Sequence, residues 1–320
     1  MLSVLGVLGL VGALVVFASI QGGGSSTTTA DTVTPSFTYP SFPSSESAFP
    51  TTTSDAASTS TSSSAETSAE QTTAPAGPQP VQATANNPLF GNANSGLPNI
   101  RCSLPQWVTD EAAATAFFTA ARACLDKMWQ PVMAAQHLPF FSPAISAPAH
   151  ESEVTDNPCS GGNPSWAAVY CSANNTIYMP LDHIQTDTYG DRWYIYMMIF
   201  AHEYGHHVQA MSGIMDEEDS QREDAGAESD KGLELSRRLE LEAQCFGGMF
   251  VGSSTVAGLY TNDETDYVRK DQYERGDELQ QVDMHDHGTS QHYGDWYYTG
   301  QVNDRVQKCN TWSAVPGDVS

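Results

Sequence analysis

Lysine and arginine are absent from the first hundred residues. All 13 basic residues of the 320-residue chain lie from Arg101 onward, against 38 acids in the whole chain. From that point on the formal charge is still about −20 with His neutral. Phosphate binding needs clustered Lys and Arg, so nucleic acid is excluded as an expected partner. The same deficit disfavours docking on an anionic lipid surface. Charge is missing altogether from Leu2 to Ile20, a run of apolar and small residues. As a helix it would span about 28 Å, close to a bilayer core. Residues 1–20 are therefore expected to be a transmembrane anchor or an uncleaved signal segment. Only Met1 precedes the run, so the natural start is expected upstream. In either case the rest of the chain is expected outside the cytoplasm, tethered to the membrane, or secreted if the segment is cleaved.

Large apolar groups are scarce from residue 21 to about 95, where Ser, Thr, Ala, Pro and Gly dominate. Such a stretch cannot bury enough surface to fold, so 21–95 is expected to be a disordered linker. Residues 96–320 are expected to form one domain. No C-x-x-C pair occurs, which weakens any cysteine metal site. The six cysteines instead form an even set, read in an exported domain as disulfides. Proximity in sequence pairs them as Cys102–Cys124, Cys159–Cys171 and Cys245–Cys309.

Helical patterning spans 109–129, 193–208, 233–251 and 267–281. Residues 167–171 and 176–179 read as short strands around a turn at 172–175, with Pro180 suiting an edge position for the second. The fold class expected is α+β, mainly helical, with a small antiparallel sheet or hairpin above a central helix. The acids between Asp216 and Asp230 read as a solvated loop.

The chemistry concentrates in Ala201-His-Glu-Tyr-Gly-His-His-Val-Gln209. On a helix His202 and His206, at i and i+4, share one face and can hold a single Zn²⁺. Glu203 then lies beside the metal as a general base for water. An apolar helix rarely tolerates two His and a Glu without partners. A hydrolytic zinc site needs a third protein ligand and an open position. Glu240 is the best placed candidate; Glu242 would point away on the same helix, and Glu234 is weaker. His207 points elsewhere and reads as structural.

His202-Glu-Tyr-Gly-His-His-Val-Gln209, followed by Arg238-Leu-Glu-Leu-Glu-Ala-Gln-Cys-Phe-Gly-Gly248, resembles the bacterial putative neutral zinc metallopeptidase family. The likeness continues in Cys171-Ser-Ala-Asn-Asn-Thr-Ile-Tyr178 and in His287-Gly-Thr-Ser290, and covers roughly residues 102–300. It implies a gluzincin-like fold, with His202, His206 and Glu240 as zinc ligands and Glu203 as base. The pattern departs at Gln244, where the family has Asp. In gluzincins that carboxylate supports a ligand His, so zinc binding is expected to survive and activity to be lower. His287 is the candidate oxyanion donor, with His292 and Tyr293 as alternatives. The strand at 176–179 could take an extended peptide by strand addition.

The expected function is a membrane-tethered, extracytoplasmic zinc metallopeptidase acting on peptide or protein substrates. The alternatives are a catalytically weak or inactive zinc-binding surface domain with an envelope partner, a tethered surface protein in which H-E-x-x-H is incidental, and an envelope amidase using the same ligands.

Overall fold

The computed structural model describes residues 77–155, 157–159, 167–279 and 285–320. Residues 1–20 and most of the expected linker lie outside these. No helix among the described residues is long and apolar enough to cross a membrane.

Seven helices and three short strands carry the described part of the chain. Helix α1 (Glu111–Ala135) starts at Asp110, whose carboxylate accepts the N–H of Ala113. That cap lies one residue past the expected start at Thr109. The helix runs through Pro131 and buries Phe117, Phe118, Leu125, Met128 and Trp129. Strands β1 (Ala144–Ser146), β2 (Val169–Cys171) and β3 (Thr176–Tyr178) form one sheet in the order β1-β3-β2. The expected hairpin is β2–β3, antiparallel with Tyr170 opposite Ile177. β1 joins the other side of β3 in parallel, Ile145 opposite Ile177, so the sheet is mixed rather than wholly antiparallel. The strand read as an edge is therefore the centre of the sheet. Both sides of β3 are taken, and strand addition at 176–179 is ruled out. Among the described residues β1 and β2 are the outer strands.

Helix α2 (Thr186–Tyr189) is a single turn before the central helix α3 (Trp193–Ser212). Every residue of α3 from Ile195 to Gln209 is buried, as expected for a helix apolar on nearly all sides. Gly213 ends it with φ 86°, a left-handed turn that favours glycine. A Cβ there would also stand 2.7 Å from the backbone of Val81. This close approach is used: Val81 N–H donates to the Ser212 carbonyl, and Asn87 Nδ2 donates to the carbonyls of Val81 and Ser212. Leu89 and Phe90 follow into the core. The last part of the segment expected to be linker is thus ordered on the domain from about Val81. Two apolar residues and one capping asparagine suffice for this, and the surrounding polar composition hid them.

Helices α4 (Ile214–Ala225), α5 (Asp230–Val256), α6 (Asn262–Gln272) and α7 (Ser290–Asn303) complete the domain. The acidic stretch expected as a loop is largely α4, because Ile214, Met215 and Glu218 face inward against α3 and α5. Ser229 caps α5, and Thr261 with Glu264 forms a capping box on α6. α6 starts earlier and ends earlier than the helix expected at 267–281. The three disulfides are Cys102–Cys124, Cys159–Cys171 and Cys245–Cys309, the pairing read from sequence. They tie the segment before α1 to α1, the loop before β2 to β2, and α5 to the C-terminal segment.

Candidate metal centre

The site is built where α3 meets α5. Gly205, inside the H-E-Y-G-H string, is what lets them meet: a Cβ there would lie 2.9 Å from the Ala243 Cα. Contact between the two backbones at Ala243 brings Glu240, about one turn before it, and Gln244, the next residue, against the histidine face of α3.

His202 and His206 place their Nε2 atoms 3.1 Å apart. Glu240 Oε2 lies 3.2 Å from the first and 3.4 Å from the second. All three residues are buried or nearly so, and that carboxylate oxygen makes no well-formed hydrogen bond. Three donors at tetrahedral corners, about 2.0–2.1 Å from a zinc ion, stand about 3.3 Å apart. The spacing, the nitrogen and oxygen donor set and the orphaned buried oxygen all fit such an ion. His202, His206 and Glu240 form one of two clusters of metal-capable side chains among the described residues.

Each histidine is held from behind. His206 Nδ1 donates to Gln209 Oε1 at 2.8 Å, and Gln209 Nε2 donates to the Leu239 carbonyl and to Glu242. His202 Nδ1 donates to Gln244 Oε1 at 3.2 Å. Both hydrogen bonds leave Nε2 turned inward, the tautomer a ligand needs. Glu242 indeed points away from the cluster. His207 donates from Nε2 to the Phe141 carbonyl, and burial lowers its pKa to about 4, so it is a neutral core residue.

Glu203 is buried beside the histidines, and its Oε2 accepts the Tyr170 N–H of β2 at 2.8 Å. Burial pushes its pKa up. The imidazoles of His202 and His206 pull it back, Glu240 adds to the rise, and the Tyr170 N–H opposes it. At Glu240 burial is outweighed by the positive potential of His206 and His287, and the carboxyl stays well below the usual carboxylate range. His206 is pushed up to about 9, because Glu240 more than offsets its burial.

His287 reaches the same site from the loop before α7, with Nε2 3.8 Å from Glu240 Oε2. Its Nδ1 faces Asp286 at 2.9 Å and Asp277 at 3.6 Å. Asp277 Oδ2 also accepts the backbone N–H groups of His287 and Gly288, which fixes the turn. His292 is tied instead to Thr289 and to the Ser320 carbonyl. Tyr293 is buried, its ring 6.4 Å from that of His202. Glu234 pairs with Arg238 and Lys231 and takes no part.

The likeness to known proteins extends well beyond the metal-binding string. Residues 100–312 match the family described as putative neutral zinc metallopeptidase. The chain belongs to this family. Among relatives, the Escherichia coli K12 protein YpfJ, described as uncharacterized, is 32% identical over 171 residues. That stretch covers 50% of this chain and 58% of YpfJ, so the chain spans little more than half of that relative's length. The Mycobacterium tuberculosis H37Rv protein Rv2575, also described as uncharacterized, is 23% identical over 216 residues, covering 60% of this chain and 68% of its own. No solved structure matches.

Sequence reasoning missed Gln209, Asp277 and the Tyr170 N–H. Gln209 was visible as the last residue of the string, three positions past His206. Asp277 and Tyr170 are set by tertiary approach, and no local pattern marks them.

Proposed function

We propose that this protein is a zinc-dependent metallopeptidase, with His202, His206 and Glu240 as zinc ligands and Glu203 as general base. The observation that carries the reading is Glu240 Oε2, buried without a well-formed hydrogen bond between two imidazole nitrogens. Zinc held there would polarise a peptide carbonyl and lower the pKa of water to roughly 7. Glu203 takes a proton from the attacking water and passes it to the leaving amine. Its raised pKa suits both steps, since the base must hold the proton and then release it. The Tyr170 N–H keeps the carboxylate aimed along α3. His287, with Asp286 and Asp277 behind it, donates from Nε2 to the oxygen on which charge develops. An extended substrate adds along the outer edge of β2, beside the Tyr170 N–H that Glu203 occupies. We further propose that residues 1–20 tether the domain to a membrane on its extracytoplasmic side, an environment that suits three disulfides.

The test is paired. The disulfide-bonded protein is assayed for zinc per chain and for hydrolysis of a mixed peptide library, with Glu203→Gln as control. One zinc per chain and cleavage that disappears in the control are expected. Zinc without cleavage in either protein would favour a non-catalytic zinc-binding domain, and no zinc would overturn the ligand assignment.

A further inference from the structure

Gln244 stands where the family pattern has a carboxylate, yet a carboxylate is still connected to His202 through it. Gln244 Nε2 donates to Gln272 Oε1 at 2.7 Å, and Gln272 Nε2 donates to Asp271 Oδ2 at 2.8 Å. Gln244 is fully buried, and Gln272 and Asp271 nearly so. Asp271 is itself fixed from two further sides. Arg275 Nε donates to Oδ2 and the Tyr189 hydroxyl donates to Oδ1, each at 2.6 Å.

We propose that Asp271 backs His202 through a two-amide relay, so that Gln244, Gln272 and Asp271 act together as positioning residues for the zinc site. The proposal rests on the zinc reading above. A carboxylate can only accept, so Asp271 forces the Gln272 NH₂ toward itself and the Gln272 oxygen toward Gln244. Gln244 must then give its NH₂ to Gln272 and its oxygen to His202. The oxygen can be satisfied only by a proton on Nδ1, which leaves Nε2 free to bind metal. Every donor in the chain points from His202 to Asp271, and chains of this kind polarise one another. An unsupported glutamine at 244 could turn over and present NH₂ to His202. The relay removes that freedom, and Arg275 pairs with Asp271 at its far end, away from the metal.

Three proteins test this: the parent, Gln272→Met and Tyr189→Phe. Zinc affinity is measured by competition with a chromophoric chelator, alongside thermal unfolding. Gln272→Met cuts the relay but leaves the Asp271–Arg275 pair. It is expected to bind zinc about 10–100-fold more weakly, the usual loss for such a partner. Tyr189→Phe removes one hydrogen bond to the far end of the relay but cuts none of its links, so it is expected to lower the melting temperature and to weaken zinc binding less than Gln272→Met does. Equal zinc affinity in Gln272→Met and parent would overturn the relay alone; a parent that binds no zinc would overturn the zinc reading as well. Should Gln272→Met not fold, NMR of the zinc-loaded parent decides. Resolved, slowly exchanging side-chain amide protons on Gln244 and Gln272 support the relay, and averaged, rapidly exchanging ones overturn it.

Discussion

Two buried glutamates lie on helices either side of His206, and their surroundings treat them in opposite ways. Glu240 on α5 is ringed by His202, His206 and His287, which hold it ionised well below the usual carboxylate range. Glu218 on α4 is 1% exposed; burial, Asp219 and, more weakly, Glu240 push its pKa up to about 8, and Arg222 and the more weakly coupled His206 only partly offset them. Burial opposes both charges. What differs is the company. At Glu240 the partners are groups that a metal would organise, whereas at Glu218 an acid has been carried inward by a helix that needed Ile214 and Met215 buried. A buried acid signals function only when its neighbours converge on it.

The largest break in that comparison is Glu240→Gln. It removes the anion while keeping the shape, so zinc affinity is expected to fall by at least about 100-fold, with activity lost in parallel. Equilibrium dialysis against zinc reads this directly. The same site sets a pH dependence. His206, pushed up to about 9 in the metal-free protein, must lose its proton to bind zinc. Below that pH, uptake releases protons, and affinity is expected to rise by up to about tenfold per pH unit between pH 6 and 8. Zinc titration in weak buffer, with base uptake recorded, checks the sign; no proton release at pH 7 would contradict it.

A smaller effect is expected at the third acid-rich point. Asp286 contacts His287 and not the zinc ligands. Asp286→Asn keeps the shape but removes the anion that faces Nδ1 behind an imidazole that must donate from Nε2. kcat is expected to fall about 10-fold, with zinc content unchanged and KM little altered. A loss of zinc in this variant would mean that His287 serves the metal rather than the substrate.

How far these environments could be read from sequence depends on whether a group's partners are local. His202, Glu203 and His206 declare themselves because helical spacing alone puts them on one face. Glu240 could be ranked above Glu242 by the same periodicity. The disulfides followed from proximity, including Cys245–Cys309, which closes the longest loop. The three-stranded order was hidden, because a three-residue strand such as β1 carries no periodic signal and pairs with β3 across some thirty residues. The amphipathic character of α4 was masked by its acids: one turn of apolar residues at Ile214 and Met215 outweighed a polar average. Asp271 and Gln272 sit in a helix with no visible tie to the metal string, and only the α5–α6 approach joins them to it.

Glu218→Gln gives the smallest expected effect, and of the opposite sign. The folded protein holds the Glu218 proton up to about pH 8, while the unfolded chain releases it near 4.5, the ordinary value for a glutamate. The folded state therefore binds more protons across that window, and stability falls as pH rises through it. Below the lower limit the residue costs nothing in ionisation, because it is neutral in both states. Removing the carboxyl should then stabilise the protein by little at pH 5 and by more at pH 8, a gain of several degrees at about 2–4 °C per kcal/mol for a domain of this size. Zinc affinity should hardly move, since the acid contributes no ligand atom. Thermal unfolding of parent and variant at the two pH values measures the difference. Destabilisation at pH 8 would show that Glu218, like Glu240, is ionised and paired, and the contrast between the two would collapse.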